Sequence, residues 1–220
     1  MTADKLTPLQ RRILRVLAPL SPPWTLTGGG ALAGAYLGHR TTRDLDFFWR
    51  ERRSLGSAPA DAQALLREAG LDVVALRTSP TFAEIRVSDR TDVCIVDLVA
   101  EPFPALEAPE SVAIDGMLVR VDSMREILVN KLAALLGRAE VRDLVDVRAL
   151  LAAGADLATG LRDAPRKDGG FSPLTLAWVL TSLELEPLAS ELGWAPEAIA
   201  SLDAFKVDLV DRLTRLAMPK

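Results

Sequence analysis

The spacing of apolar residues changes along the chain and predicts helices and strands in turn. Apolar residues between Leu9 and Leu17 recur at helical spacing, which predicts a helix over residues 8–17 with Thr7 as its N-cap. Shorter elements are predicted next: strands over residues 24–27, 44–49, 71–77, 82–87 and 93–99, helices over 31–37 and 60–69, and a hairpin within 111–121 around Asp115-Gly116. The first half of the chain therefore predicts an α/β domain.

Strand-like runs end near residue 122, and Leu- and Ala-rich helical patterns follow. They predict helices over residues 124–136, 141–152, 173–183 and 203–216. The polar segment 163–170, which contains Pro165 and two glycines, is expected to be the most mobile loop of this half. We therefore expect an α/β domain over residues 1–122 and an all-helical domain over residues 123–220.

The composition excludes several classes of protein. With 220 residues, 49% of them hydrophobic and 25% charged, the chain can bury a core and is not disordered as a whole. Cys94 is the only cysteine and His39 the only histidine, which excludes an intrachain disulfide, a thiolate zinc site and a multi-histidine metal site. Any metal site must therefore use oxygen ligands.

Charge and hydropathy indicate where such a protein works. The formal net charge of −4 disfavours a protein that coats nucleic acid through bulk charge, although it leaves room for a local basic groove. No apolar run approaches the roughly 20 residues of a membrane span, and the N-terminal segment lacks the pattern of a signal peptide. We expect a cytoplasmic protein with no membrane partner.

One stretch combines glycines with paired acids. The glycine run over residues 28–30 is predicted to form a turn before a helix, where free backbone N–H groups favour a phosphate and missing side chains permit close approach. Asp44 and Asp46 alternate with Leu45 in a predicted strand, so they point to one face and would repel each other without a hard cation such as Mg²⁺. Each feature alone is more typical of a loop or a solvent-facing strand edge, and their order along the chain is what favours a nucleotide site.

The run from Gly28 to Leu32, followed by the segment from His39 to Phe48, resembles the nucleotidyltransferases of the DNA polymerase β superfamily and, more narrowly, the AbiEii/AbiGii toxin family. That family has a double glycine, a helix, a His-Arg segment and Asp-x-Asp followed by aromatics. The resemblance implies an α/β (α+β) fold whose nucleotidyltransferase-like mixed sheet is flanked by helices and followed by a helical domain. It also implies a third carboxylate on a neighbouring strand, which Asp97 matches by position. Gly30 stands where the family often has Ser or Thr, so a hydroxyl that could hold a phosphate oxygen is absent.

The resemblance extends into the helical half of the chain. Lys131 begins a Lys-Leu-Ala-Ala-Leu-Leu run, and Asp143 and Asp146 lie in the run Arg-Asp-Leu-Val-Asp, as in AbiEii-like proteins. The resemblance implies that these three residues are additional functional positions. Taken alone, the second run is more typical of a solvated helix face on which Arg142 and Asp146, at i,i+4 spacing, simply pair.

The expected activity is Mg²⁺-dependent transfer of a nucleoside monophosphate from an NTP substrate to an acceptor hydroxyl, with one or two metal ions bound. The residues implied are Asp44, Asp46, Asp97, Lys131 and Asp143 for catalysis, Asp44, Asp46 and Asp97 for the metal, and Gly28, Gly29, Gly30, Arg40, Arg43 and Lys131 for the nucleotide.

The resemblance favours an RNA (tRNA-like) 3′ end as acceptor, in a toxin-like component of a toxin-antitoxin or abortive-infection system with a cognate antitoxin as partner. A basic rim for this acceptor is predicted around the second strand, formed by Arg40, Arg43, Arg50, Arg52 and Arg53. Two alternatives stay open, a small-molecule (aminoglycoside-type) nucleotidyltransferase and a catalytically weak nucleotide-binding regulatory module. Cys94 is expected to fill the core.

Overall fold

The first helix is α1 (Pro8–Leu17), with the bounds that the sequence predicts. The computed structural model describes residues 4–185 and 194–218. Thr7 Oγ1 accepts a hydrogen bond from the Gln10 backbone N–H at 3.2 Å, and Gln10 Oε1 accepts one from the Thr7 N–H at 2.9 Å. This capping box satisfies two backbone donors that the start of a helix otherwise leaves unpaired. The amide of Gln10 also donates to the Thr42 carbonyl, which fixes α1 against the chain that enters the second strand.

A mixed sheet forms the centre of the first compact unit, Met1–Ser123. Its strands among the described residues are β1 (Thr25–Thr27), β2 (Asp44–Arg50), β3 (Asp72–Thr78), β4 (Phe82–Ser88), β5 (Val93–Glu101), β6 (Glu110–Ile114) and β7 (Met117–Val121). Their order across the sheet is β3-β4-β5-β2-β1-β7-β6. The β2/β5 and β1/β7 pairs are parallel and the other neighbouring pairs are antiparallel, so the mixed sheet implied by the sequence is confirmed.

The two faces of the sheet differ because side chains alternate along each strand. On β2, Leu45, Phe47 and Trp49 are buried, whereas the residues between them are half-buried. The same alternation runs along β4 and β5. Helices α1 and α3 (Ala58–Glu68) contact strands β3, β4 and β5, and each contributes buried apolar side chains to the core. The opposite face carries Asp44 and Asp46.

The helix after β1 differs from the sequence prediction of a glycine turn followed by a helix from residue 31. Helix α2 (Gly28–Ala31) already begins at the first glycine and continues as a π-helical turn over Leu32–Tyr36. The prediction is wrong because Gly28 adopts φ +62°, a left-handed conformation that lets the chain pass from strand to helix without an intervening loop. Within the π turn the Ala33 carbonyl accepts a hydrogen bond from the Lys5 N–H at 3.0 Å.

The predicted hairpin around residues 115 and 116 is confirmed. Strands β6 and β7 pair antiparallel, with Ile114 opposite Met117. Asp115 and Gly116 both have positive φ angles, 48° and 76°, as a two-residue turn of type I′ requires.

The second compact unit, Met124–Lys220, is helical in its described part. Its α-helices there are α4 (Met124–Arg138), α5 (Val141–Ala152), α6 (Leu157–Asp163), α7 (Pro173–Ser182) and α8 (Pro196–Ala217). Helix α8 begins before the predicted residue 203, and Pro196 lies in its first turn, where proline is well tolerated. No described helix is long and apolar enough to cross a bilayer.

The prediction that residues 163–170 form a loop is wrong for the first part of this segment. Helix α6, which the sequence reading missed, ends in this segment and is followed by a 3-10 turn over Ala164–Arg166. Lys167 forms a buried ion pair with Glu126 at 2.6 Å. Arg125 and Asp163 form a second ion pair, also 2.6 Å long. These contacts tie the segment to α4.

Candidate active site

Three half-buried carboxylates lie on one face of the sheet. The parallel register of β2 and β5 places Asp46 directly beside Asp97, and Asp44 precedes Asp46 by two residues on the same face. On the other side of Asp46, the antiparallel register with β1 places Thr27 next to it. We call the register row Thr27, Asp46 and Asp97 the acid row, and the face that carries it the acid face.

Gly28 brings backbone against the acid row. A Cβ atom at this position would lie 2.3 Å from Asp46 Oδ2, closer than any real contact allows. The left-handed φ of Gly28 is a second reason why this position needs glycine. The structure therefore brings together two predicted features, the glycine run and the Asp-x-Asp strand.

Gly29 plays a similar role toward the basic loop. A Cβ at Gly29 would lie 3.0 Å from Arg40 Nη2 and 3.0 Å from Thr42 Oγ1. The Arg40 guanidinium thus reaches the first turn of α2. Arg43, the other arginine of this loop, is exposed, and its carbonyl accepts the Ile95 N–H at 3.0 Å.

Gly30 points in another direction. A Cβ at this position would meet Leu45 Cδ2 at 2.9 Å and Leu26 Cδ1 at 3.4 Å, so it would enter the apolar core. A serine hydroxyl would start from that apolar contact and not from the acid face. The absence of Ser or Thr at this position therefore does not remove a polar group from the acid row.

The start of α2 has the features of an anion site. Thr27 is its N-cap but makes no side-chain capping hydrogen bond to the helix. The Thr27 hydroxyl is buried and lacks a hydrogen-bond partner among the described residues. Free backbone N–H groups at a helix start attract phosphate, and the helix dipole adds to the attraction.

The donor set on the acid face suits a hard divalent cation. Carboxylate and hydroxyl oxygens are the ligands that Mg²⁺ prefers, with substrate phosphates and water completing the shell. Within residues 4–185 and 194–218, no three His, Cys, Asp or Glu side chains already stand in metal-ligating geometry. The fit rests instead on the shared face of three acids and on the space that the missing Cβ of Gly28 leaves beside Asp46.

Sequence reasoning missed a fourth acid on this face. Glu84 of β4 lies directly opposite Asp97 of β5, which extends the acid row by one strand. Strands β4 and β5 form an antiparallel hairpin, so each step back along β4 from the turn at residues 88–93 is matched by one step forward along β5. Counting back from that turn could have found Glu84. The Glu84 carboxylate forms an ion pair with Arg77 at 3.2 Å.

Lys131 and Asp143 lie in the helical unit, in a buried cluster of charges. Lys131 Nζ lies 2.7 Å from Asp143 Oδ1 and 2.9 Å from Asp146 Oδ2, which joins α4 to α5. Arg138 Nε donates to Asp143 Oδ2 at 2.8 Å. Arg142, the alternative partner for Asp146, forms an ion pair with Glu140.

Burial and ion pairing act against each other on these groups. Burial alone would lower the pKa of Lys131, but the carboxylates of Asp146 and Asp143 outweigh it and raise that pKa. Burial would likewise raise the pKa of Asp143, but its hydrogen bonds from Arg138 and the charge of Lys131 lower it. Lys131 and Asp143 are therefore both charged at neutral pH.

The predicted basic rim is wrong in one of its members. The Arg50 side chain is only 9% exposed and forms an ion pair with the buried Asp122. A second carboxylate, that of Glu101, lies 3.7 Å away. Arg50 therefore stabilises the end of β2, whereas Arg52 and Arg53 just beyond it are exposed.

Cys94 fills the core, as predicted. Its side chain points to the buried face of β5 and is 1% exposed. Burial raises the pKa of its thiol to about 12, so it is not a nucleophile at neutral pH.

A mixed sheet with Asp-x-Asp on one strand, a third acid on its parallel neighbour and a glycine-rich helix start defines a nucleotidyltransferase. The family model of the nucleotidyl transferase AbiEii toxin, of type IV toxin-antitoxin systems, matches residues 12–203. The chain belongs to this family, and it is a toxin-like nucleotidyltransferase.

Two solved structures share the fold at low sequence identity. MenT4, a nucleotidyltransferase toxin from Mycobacterium tuberculosis, is similar with a TM-score of 0.68 and 18% identity over 95% of this chain and 85% of MenT4. JHP933 from Helicobacter pylori is similar with a TM-score of 0.56 and 21% identity over 94% of this chain and 91% of its own. No curated protein matches the chain.

Proposed function

We propose that this protein transfers a nucleoside monophosphate from an NTP to the 3′ hydroxyl of an RNA, in a reaction that needs Mg²⁺. The observation that carries the proposal is the acid row, in which Asp46 and Asp97 are register neighbours and the Gly28 backbone lies against Asp46. This arrangement supplies oxygen ligands and a phosphate-binding backbone side by side. An antitoxin partner follows from the family, whose members are toxins of type IV systems.

The nucleotide binds through the start of α2. Backbone N–H groups of Gly29 and Gly30 donate to phosphate oxygens, and the Arg40 guanidinium beside Gly29 offsets phosphate charge. Arg43, which is exposed in the same loop, adds a second cation. Missing side chains at residues 28 and 29 let the triphosphate approach the backbone closely.

The carboxylates of Asp44, Asp46 and Asp97 would hold the metal. When bound, one or two Mg²⁺ ions neutralise the triphosphate and acidify the acceptor hydroxyl. The acceptor oxygen then forms a bond to the α-phosphorus while the bond from that phosphorus to the bridging oxygen breaks. Pyrophosphate leaves with that oxygen, and the hydroxyl proton passes to Asp97 or to water.

We include Lys131 and Asp143 in the proposal. The two carboxylates around Lys131 keep its ammonium protonated and fix its position. The two carboxylates hold the positive charge of Lys131 in a fixed place, and we propose that this charge takes part in nucleotide binding, as the family resemblance implies. Asp143 is then a positioning residue that acts through Lys131.

The test incubates the purified protein with each radiolabelled NTP, total RNA and Mg²⁺, and follows which molecule becomes labelled. Wild-type protein is expected to label RNA with at least one NTP. Asp44→Asn, Asp46→Asn and Asp97→Asn are each expected to abolish labelling, because each removes a negatively charged metal ligand.

Asp92→Asn is the matched control. Asp92 comes just before β5, five residues from Asp97, and lies out of phase with the acid face. Its replacement should leave labelling unchanged. Labelling of an aminoglycoside and not of RNA would show that the acceptor is a small molecule. NTP binding without any transfer would indicate a catalytically weak regulatory module.

A further inference from the structure

We propose that Arg86 and Arg77 form a cationic lane on the acid face that binds the phosphates of the RNA acceptor next to Asp97. The inference rests on the proposed function and adds where the acceptor lies and which residues select it. Neither arginine belongs to the glycine helix, the basic loop or the rim expected around β2.

Register places both arginines on the acid face. On β4, Arg86 follows Glu84 by two residues, and Glu84 lies opposite Asp97, so the three side chains share one face. Arg86 is exposed and forms no ion pair within the part of the chain that the structure describes. Its cross-strand neighbour on β5 is Ile95, so Arg86 is diagonal to Asp97 and within reach of a group bound there.

A β-bulge brings Arg77 into line with the acid row. Strand β3 pairs regularly with β4 up to Ala75 opposite Ile85, and the next pair is Arg77 opposite Glu84. Without the extra residue, Leu76 would face Glu84 and Arg77 would point to the opposite side. The 3.2 Å ion pair between Arg77 and Glu84 confirms this orientation, and the Arg77 side chain remains 75% exposed. Bulges of this kind often re-aim a side chain beside an active site.

The strand order puts the lane and the triphosphate on opposite sides of the acid row. Gly28 follows β1, on one side of Asp46, whereas Arg86 and Arg77 lie on β4 and β3, beyond Asp97. Strands are spaced by about 4.8 Å, so Arg77 lies about 10 Å from Asp97. An in-line displacement needs the attacking oxygen opposite the leaving pyrophosphate. The acceptor therefore approaches from the side of β4 and β3.

The chemistry of this lane fits RNA better than an aminoglycoside. Two exposed guanidinium groups repel a polycationic aminoglycoside and attract a phosphodiester, which Arg binds with two parallel hydrogen bonds. Half-buried Phe82, on the same face and two residues before Glu84, offers an aromatic surface on which a base can stack. A lane of two cations is also compatible with the net charge of −4, because it is local.

The test compares the double variant R77E/R86E with the matched double variant R12E/R67E, whose arginines lie on α1 and α3 at the opposite face of the sheet. Both change the net charge by the same amount, and all four arginines are exposed. The Arg77 side chain is 75% exposed and that of its partner Glu84 is 21% exposed, so denaturant unfolding is used to check that R77E/R86E is folded before binding is measured. Affinity for a fluorescent single-stranded RNA oligonucleotide is measured by anisotropy across a range of salt concentrations, and affinity for the NTP by calorimetry.

R77E/R86E is expected to weaken RNA binding about tenfold or more and to reduce the slope of log affinity against log salt by about 1.4, the value for two lost phosphate contacts. NTP affinity should stay within about twofold of wild type, and R12E/R67E should bind RNA like wild type. Equal RNA binding by the two variants, or lost NTP binding in R77E/R86E, would overturn the lane while RNA labelling by wild type still supports the proposed function. Absence of RNA labelling by wild type would overturn the acceptor and the lane together.

Discussion

Gly28 is needed both for the backbone conformation at the start of α2 and for the position of Asp46. Substitution by alanine is expected to disturb both. A Cβ at this position would meet Asp46 Oδ2 at 2.3 Å and would also be forced into a left-handed conformation. The conformation alone costs about 1–2 kcal/mol. Displacement of a metal-binding carboxylate by about 1 Å can lower a rate about 100-fold. We therefore expect Gly28→Ala to lose both stability and RNA labelling.

Gly70→Ala is the matched control for Gly28→Ala. Gly70 also has a positive φ, 75°, but no atom lies within 4 Å of its virtual Cβ. Its replacement should lower the free energy of unfolding by about 1–2 kcal/mol and leave labelling unchanged. Denaturant unfolding measures the loss of stability, and the labelling rate measures the effect on the site. Similar labelling by both variants would show that Asp46 tolerates contact with a Cβ atom at residue 28.

Gly30 allows a second prediction, about the hydroxyl that the family often has there. A side chain at Gly30 would press on Leu45 Cδ2 at 2.9 Å, away from the acid row. Gly30→Ser is expected to lower the free energy of unfolding by about 1–3 kcal/mol, because the new side chain overpacks the core against Leu45. The labelling rate should not rise. Gly137→Ser, in α4 with no atom within 4 Å, should be neutral or stabilising, and faster labelling by Gly30→Ser would contradict the assignment.

For single residues, the sequence predicts features that follow from the alternation of side chains along a strand. It misses features that depend on how elements pack against each other. The shared face of Asp44 and Asp46 follows from the period of a strand. The proximity of Gly30 to Leu26 and Leu45 depends on how α2 packs against β1 and β2. The family resemblance alone therefore suggests only that a hydroxyl is missing at this position.

Helices α4 and α5 are held together by charges that are buried. Lys131 on α4 binds Asp143 and Asp146 on α5, and the side chains of both acids are fully buried. Removing one partner of a buried ion pair typically costs about 3–5 kcal/mol, because the other charge is left uncompensated. Lys131→Met, which keeps much of the side-chain volume, should therefore lower the free energy of unfolding by that amount at pH 7. Arg215→Met, which breaks an ion pair on α8 whose partners are both 65% exposed, should cost less than about 1 kcal/mol.

The pH dependence of this effect has a definite sign. The lowered pKa of Asp143 contributes stability that is present above about pH 4 and is lost as the pH falls through that pKa. The raised pKa of Lys131 contributes stability that is present below about pH 10 and is lost as the pH rises through it. The difference in free energy of unfolding between wild type and Lys131→Met should narrow as the pH falls from neutral, because the acids left without Lys131 take up protons more readily, and it should narrow again above about pH 10. Denaturant titrations at several pH values measure the difference in free energy of unfolding between the two proteins. A difference that widens as the pH falls would contradict this account.

Elements with one clear period were predicted well, and elements with mixed signals were not. Helix α1 has an apolar stripe and a capping residue, and its bounds were correct. Helix α6 has only seven residues with a glycine among them, too short to show a period. The segment after it looks like a polar loop, but long-range ion pairs of Arg125 and Lys167 hold it in place, and no local pattern records such pairs.

The arrangement of the acid face depends on the whole sheet. Residues from β1, β2, β4 and β5 meet there, although they are separated by long stretches of chain. Asp97 was matched only through resemblance to a family, since alternation along one strand does not reveal which strand is its neighbour. Glu84 and Arg77 were missed because their positions require the register of two pairings and a bulge.

A toxin-like nucleotidyltransferase should stop growth only while its site is intact, which gives a prediction for the whole molecule. Controlled expression in a bacterial host is expected to arrest growth, because the proposed transfer would add nucleotides to the 3′ ends of RNA. Asp97→Asn should restore growth, since it removes a negative charge from the acid row without changing side-chain size. Asp92→Asn, which lies out of phase with that row, should remain toxic at the same protein level. Growth curves and sequencing of RNA 3′ ends are the measurements, and arrest by Asp97→Asn equal to wild type, at matched expression, would show that toxicity does not depend on nucleotidyl transfer.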